Sequence, residues 1–334
     1  MRSVQATEQV QIDSWLTEDD ERSLANDVLD GLTKPFKELA PKHFYDARGS
    51  ELFERITELP EYYPTRTETA ILRAHAAEIV SGTEAAELVE LGSGASDKAR
   101  LLLDAMAARG TLQRYIPLDV SASVVEAAAR LLVADYPGLQ VHGVVGDFER
   151  HLEHVPAADP EAPRLVALLG GTIGNFPPGT RRGVLAKIAT LLGPADRLLL
   201  GTDLVKRPEL IEAAYNDSEG VTAEFNRNLL RVINRELDAD FDPGAFEHIA
   251  FFDRVHEWVE MRLRATRPMS VLVAALDLRV GFAAGEELRT EISAKFTRER
   301  VTGDLEAAGL EVERWLTDPE ELFAVSVGRL AGPS

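Results

Sequence analysis

The residues best suited to chemistry in this chain stand just after apolar runs that read as strands. Leu88-Val-Glu-Leu91 leads into Gly92-Ser-Gly-Ala-Ser-Asp-Lys98. Glycines at such a place let the backbone approach a ligand, and the N-terminus of the helix that follows favours negative charge. Alone the loop is a weak signal. It lacks the third glycine of the dinucleotide fingerprint and the G-x-x-x-x-G-K-[ST] spacing of a phosphate loop, and a tight turn without a ligand explains it equally well. The next run ends Ile116-Pro-Leu-Asp119, in an acid able to accept both hydroxyls of a ribose. A third leads to Gly146-Asp147-Phe148, an acid and a ring suited to the amine and face of adenine. Each acid by itself reads first as a solvated loop residue or a helix cap. Acids after three successive strands, at Glu90, Asp119 and Asp147, together describe a site for an adenosine-containing cofactor.

Two further segments could act on a second ligand. Leu168-Leu-Gly-Gly-Thr-Ile-Gly-Asn-Phe176 concentrates glycines that would cost entropy for nothing unless the loop were strained by a task. Its Asn175 could hold an amine lone pair toward an electrophile, or cap a helix beginning near Gly179. Near the other end, strict alternation over 288–295 would put Arg289, Glu291, Ser293 and Lys295 on one strand face, with Leu288, Thr290, Ile292 and Ala294 on the other. Such a polar face is either solvated or turned into a cleft. The same period gathers Val259, Met261 and Leu263 as core. His151 and His154 have a spacing that can bind metal, but the surrounding acids and prolines suggest an exposed helix end, and no metal site is expected. With no cysteine in 334 residues, disulfides, thiolate metal sites and cysteine nucleophiles are excluded.

These segments need elements to position them. From residue 69 the periodicity predicts helix 69–80, strand 87–91, helix 96–108, strand 115–119, helix 122–136, strands 139–145 and 164–169, helix 179–192 and strand 197–201. Alternation of this kind makes a parallel, doubly wound α/β sheet, whose ligands lie beyond the carboxyl ends of the strands. The pattern breaks after Asp203 into an α+β insertion: helices 208–218 and 221–236, then strands 256–265, 270–280 and 288–295. Helix 297–308 and strands 311–316 and 323–327 close the sheet with an antiparallel hairpin. Upstream, Thr17 with Asp20 caps a helix carrying Leu24, Val28, Leu29 and Leu32, and the aromatic, proline-dense text of 41–50 and 59–66 reads as ordered loop. Residues 67–203 and 296–334 therefore form a cofactor domain, and 1–66 with 204–295 a substrate domain.

The formal charge of −20 opposes binding to nucleic acid or an anionic membrane surface. Residues 1–15 show no signal-peptide core, and no uncharged apolar run is long enough to cross a membrane, so a cytoplasmic protein is expected.

Across about residues 32–327 the chain resembles the ergothioneine-pathway histidine Nα-methyltransferases. The resemblance rests on Lys42-His-Phe-Tyr-Asp46, Leu59-Pro-Glu-Tyr-Tyr-Pro-Thr-Arg-Thr-Glu68, Val89-Glu-Leu-Gly-Ser-Gly94, Gly170-Gly-Thr-Ile-Gly-Asn175, Gly201-Thr-Asp-Leu-Val-Lys206, Ala223-Glu-Phe-Asn-Arg-Asn228 and Glu291-Ile-Ser-Ala-Lys-Phe296. It implies a Rossmann-like class I methyltransferase sheet and three methyl transfers from S-adenosylmethionine to L-histidine, by way of the mono- and dimethylated forms, in a monomer without metal. It also implies cofactor contacts from Gly92, Lys98, Asp119, Asp147 and Phe148, with Tyr45 nearby. Histidine would be held by Tyr62, Asn175 and Tyr215, its imidazole by Glu291 and Ser293 around Ile292, with Met261 lining the side-chain pocket; Asn175, Tyr62 and Tyr45 would serve catalysis. His43 stands where the family often has Trp, and Gly171 where it often has Ser. The competing readings are an Nα-methyltransferase for another amino acid such as tryptophan, a nicotinamide-dependent dehydrogenase, and a binder without catalysis.

Overall fold

The computed structural model describes every residue except Met1, Glu8, Thr17, Ala95, Pro160, Pro333 and Ser334, and describes residues 2–7 and 18–23 by backbone alone. The expected Thr17–Asp20 cap lies outside the described residues. Strands β1 (Arg2–Thr7) and β2 (Val10–Ser14) open the chain, followed by helix α1 (Glu18–Thr33), which buries Val28 and Leu32. A two-residue strand, β3 (Lys37–Glu38), precedes α2 (Ala47–Glu58) and α3 (Tyr63–Thr83). Helices thus occupy much of what the sequence suggests is ordered loop. α2 starts where Asp46 accepts the Gly49 N–H at 2.7 Å, and it buries only Gly49, Leu52 and Ile56, too narrow a stripe to stand out among aromatics and prolines.

Strands and helices then alternate, except that no α-helix separates β6 from β7: β4 (Glu87–Leu91), α4 (Asp97–Arg109), β5 (Arg114–Asp119), α5 (Ala122–Asp135), β6 (Gln140–Val145), β7 (Arg164–Leu168), α6 (Pro178–Ala189) and β8 (Arg197–Asp203). Next come α7 (Pro208–Tyr215), α8 (Val221–Leu237), β9 (Phe246–Asp253), β10 (Trp258–Ala265), β11 (Met269–Val273), β12 (Leu278–Phe282) and β13 (Glu287–Ala294). The chain ends with α9 (Arg298–Ala307), β14 (Leu310–Thr317) and β15 (Phe323–Leu330). The single strand expected over 270–280 is a hairpin of β11 and β12, because the chain turns at Ala274–Leu276 and Asp277 takes a left-handed φ of 48°. β9 escapes the periodicity because most of its residues are half-buried rather than alternately in and out.

Among the described residues the main sheet has nine strands in the order β1-β2-β6-β5-β4-β7-β8-β15-β14. β2, β6, β5, β4, β7 and β8 run parallel, and β15 and β14 form the reversed hairpin, the arrangement of a class I methyltransferase. Every residue of β4 and β7 is buried, as a sheet covered on both faces requires. The N-terminal hairpin is an unforeseen addition. β2 lies beside β6, Val10 opposite Val141 and Ser14 opposite Val145, and buries Val10 and Ile12.

The chain divides into two compact units: Met1–Leu16, Thr67–Leu204 and Phe296–Ser334 in the first, Thr17–Arg66 and Val205–Lys295 in the second. Residues 1–16 therefore belong with the sheet they extend, not with the second unit. In that second unit β3, β13, β10 and β9 form a sheet in this order, α7 and α8 pack on it, and α2 packs on α8. The long inserted segment leaves and rejoins the first unit at neighbouring points, since Leu204 and Phe296 form a parallel bridge and the Phe296 N–H donates to the Asp203 carbonyl at 2.8 Å. No helix among the described residues is long and apolar enough to cross a membrane.

Candidate active site

In the first unit the expected cofactor residues converge at the carboxyl ends of β4, β5 and β6. Gly92 and Gly94 have φ of 72° and 49°. Asp119 pins this loop by accepting the Gly94 N–H at 3.0 Å on one carboxylate oxygen and the Ser121 N–H at 2.9 Å on the other. Each oxygen keeps a lone pair for a ligand hydroxyl. The Phe148 ring lies 3.9 Å from where a side chain on Gly92 would begin, and edge-on to Phe176 with centroids 6.0 Å apart. Asp147 accepts the Glu149 N–H at 2.8 Å. Within the loop, Ser93 Oγ is buried and has no hydrogen-bond partner among the described residues, a polar atom prepared for a ligand. This donor and acceptor set, beside an open glycine backbone, fits an adenosyl cofactor.

Glu90 differs from the other two acids. It is buried, Tyr115 donates to it, and Ser96 Oγ lies 2.8 Å from the Tyr115 hydroxyl. Burial pushes Glu90 up to about 8 against the opposing Tyr115 hydrogen bond. It braces the loop from inside. His151 also departs from expectation: it is buried, and its Nδ1 accepts the Asp147 N–H at 3.0 Å. His154 stacks on Trp15 with ring centroids 3.6 Å apart. No group of residues that could hold a metal occurs among the described residues.

After β7, Gly170 and Gly171 have successive left-handed φ of 76° and 67°, a conformation that residues with a Cβ adopt only under strain. The chain then makes a 3-10 turn at Thr172–Asn175. Asn175 does not cap the next helix, which starts at Pro178 with Pro177 before it and no side-chain cap. The Lys98 ammonium pairs with Glu68, a fully buried carboxylate whose two oxygens each lie 2.9 Å from the Gly170 N–H. Glu68 thus ties the α4 lysine to the Asn175 loop. Nothing but the Thr-Glu ending of the 59–68 segment marked it in the sequence.

In the second unit Tyr45, Phe53, Tyr62, Tyr215 and Phe225 form an aromatic array. Tyr45 and Phe53 meet edge-on at 5.6 Å, Phe53 and Tyr62 at 6.2 Å, and Tyr62 and Tyr215 at 6.4 Å. Phe225 of α8 packs against Tyr45 at 5.8 Å. Tyr62 and Tyr215 are buried, while Tyr45 is 40% exposed.

The β13 residues lie partly as alternation demands and partly not. Glu291 is opposite Met261 and Ser293 opposite Val259, but Arg289 is opposite Arg262, with Thr290 as the extra residue of a β-bulge. Arg289 therefore turns to the other face, where it pairs with Glu38, and Leu288 joins the Glu291 face opposite Leu263. Ile292, opposite Glu260, also faces away, so its side chain is not brought together with Glu291 and Ser293. On the Glu291 face Ser293 and Lys295 are buried and Glu291 is half-buried, so the face is largely covered rather than solvated. Burial pushes Glu291 up to about 7, the Lys295 charge opposing. Ser293 Oγ accepts the Tyr215 hydroxyl at 2.8 Å and the Lys295 ammonium at 2.9 Å.

Residues 24–330 match the family model described as histidine-specific methyltransferase, SAM-dependent. The chain belongs to this family. It is 53% identical to the histidine N-alpha-methyltransferase of Mycolicibacterium smegmatis over 91% of this chain and 94% of that one. It is 32% identical to ergothioneine biosynthesis protein 1 of Neurospora crassa over 81% of this chain and 31% of that longer protein. The 4-dimethylallyltryptophan N-methyltransferase of Claviceps purpurea is 31% identical over 60% of this chain and 61% of its own.

This histidine-specific methyltransferase also carries polar residues that sequence reasoning passed over. Asn226 Nδ2 lies 2.8 Å from His248 Nδ1 and 3.1 Å from the Arg262 carbonyl, while His248 Nε2 lies 2.9 Å from the Tyr215 carbonyl. Burial pushes His248 down, so a neutral Nε2–H tautomer holds the end of α7. Thr222 Oγ1 and Asn226 Oδ1 are buried without a hydrogen-bond partner among the described residues. They sit a helical turn apart inside an amphipathic helix, where polar residues pass as surface.

Proposed function

We propose that this enzyme transfers three methyl groups in succession from S-adenosylmethionine to the α-amino nitrogen of L-histidine, giving the trimethylated betaine hercynine, the first step of ergothioneine biosynthesis. The observation that carries this reading is the match to a histidine-specific family over residues 24–330, supported by the 53% identity to a histidine N-alpha-methyltransferase. The first unit holds the cofactor: Asp119 takes the ribose hydroxyls, Asp147 the adenine amine, Phe148 the ring face, and Gly92 and Lys98 the amino-acid end. The second unit holds histidine. The bound cofactor supplies an electrophilic methyl group on a sulfonium.

The protein's task is then positioning. The amine nitrogen must reach the methyl carbon at roughly 3–3.5 Å, in line and without water between them. Tyr62 provides a donor for the substrate carboxylate, with Tyr215 packed edge-on beside it and its own hydroxyl proton given to Ser293, and Asn175 can accept from the amine and fix its lone pair. The aromatic array desolvates the ammonium and so eases loss of its proton. Its ring faces then tolerate the growing cation through three rounds. Glu291 accepts an imidazole N–H beside Ser293, and Met261 lines the side-chain pocket.

Mass spectrometry of histidine incubated with the enzyme and S-adenosylmethionine tests the reading: additions of one, two and three methyl units are expected, and unchanged histidine would refute it. The similarity to a tryptophan-derivative methyltransferase makes another amino acid the alternative, and tryptophan offered in competition decides between them. Asp119→Ala should weaken cofactor binding at least about tenfold while sparing histidine, each read by calorimetry; undiminished cofactor affinity would remove the ribose assignment.

A further inference from the structure

Lys295 is fully buried, and the chemistry proposed above gives it no task. Its ammonium donates to Tyr215 Oη at 2.9 Å and to Ser293 Oγ at 2.9 Å, and lies 4.7 Å from the centroid of the Tyr215 ring. A lysine ammonium only donates. The Tyr215 hydroxyl in turn donates to Ser293 Oγ at 2.8 Å. Both acceptor positions of the Ser293 oxygen are therefore taken, one by Lys295 and one by Tyr215, and the serine's own proton must point elsewhere. Without the ammonium, the two hydroxyls could rotate and present either a donor or an acceptor.

We propose that Lys295 is a specificity-determining positioning residue: it forces Ser293 to be a donor, so that the face shared with Glu291 selects a ring offering N–H on one side and a bare nitrogen on the other, a neutral imidazole. This rests on the reading that Glu291 and Ser293 hold the substrate ring. Glu291, two residues from Ser293 on the same face, accepts the N–H, and Ser293 donates to the bare nitrogen. The buried positive charge of Lys295 also disfavours an imidazolium. A pyrrole satisfies Glu291 but leaves the Ser293 proton unpaired, and a phenyl ring leaves both unpaired.

The test compares L-histidine with β-(pyrrol-2-yl)-L-alanine and β-(pyrrol-3-yl)-L-alanine, which retain one or the other N–H and lack the bare nitrogen. Calorimetry on the full-length enzyme should show histidine preferred over the better pyrrole by about tenfold to a hundredfold. Lys295→Met should shrink that ratio to within about threefold without changing cofactor affinity. Ser293→Ala should collapse it equally, which keeps the proposal testable if Lys295→Met does not fold. A Lys295→Met enzyme that weakens histidine and pyrrole binding by the same factor, or a Ser293→Ala enzyme that keeps the preference, would overturn the proposal. Unchanged histidine affinity in Glu291→Ala would instead overturn the placement of the ring on this face, and the proposal with it.

Discussion

Glu291 keeps a carboxyl inside the second unit, and the stability of the enzyme should register it. Its ordinary value of 4.5 is raised to about 7, chiefly by burial. Between these values the folded state binds more protons than the unfolded one, so this group's contribution is fully present below 4.5 and is lost as pH rises through about 7. Glu291→Gln is accordingly expected to melt higher than the wild type at pH 8, with the difference closing toward pH 4; calorimetric melting that shows one constant offset would contradict this. The same substitution leaves only a neutral amide oxygen to accept the substrate ring's N–H, without the carboxylate charge that strengthens that bond. Histidine affinity should fall about tenfold or more while cofactor affinity stays within about twofold.

At the scale of elements, Asp46 joins α2 to α8. It caps α2 through the Gly49 N–H and accepts Asn228 Nδ2 and Arg235 Nη1, each at 2.8 Å. Although burial opposes it, these donors hold the Asp46 carboxyl below the usual range, so its stabilisation is present above about 4 and is lost on acidification. Asp46→Ala should cost about 1–2 kcal/mol in urea unfolding at neutral pH; a variant as stable as the wild type would show that the cap is dispensable. The doubly wound strands were readable because parallel strands are continuous apolar runs, and Gly92, Asp119 and Asp147 were readable because such folds place ligands after those runs. What could not be read lies where local pattern and tertiary pairing part. The Thr290 bulge reverses Arg289 only because β10 sets the register, α2 hides its narrow stripe among aromatics, and β2 becomes a strand by adding to β6. Lys295 reads in the sequence as one more charge on a polar face, and only the fold sets Tyr215 beside it.

Across the whole molecule the two units should answer to different ligands. In hydrogen exchange by mass spectrometry, S-adenosylhomocysteine is expected to protect peptides covering 88–98, 115–121 and 145–150, and histidine those covering 208–217 and 288–295; one common pattern for both ligands would refute the division of labour. The −20 charge leaves recognition to a few placed acids and predicts no retention on a heparin column at physiological salt. The bridge between Leu204 and Phe296 reaches beyond this enzyme's present substrate. Because the segment between them departs and returns at adjacent points, it can be lengthened, trimmed or exchanged without shifting the register of β8 or α9. Substrate range can then evolve like a replaceable cartridge, and the natural graft for redirecting the methyl group to a new amine is 205–295 together with 17–66, whose β3 pairs with β13 and whose α2 packs on α8.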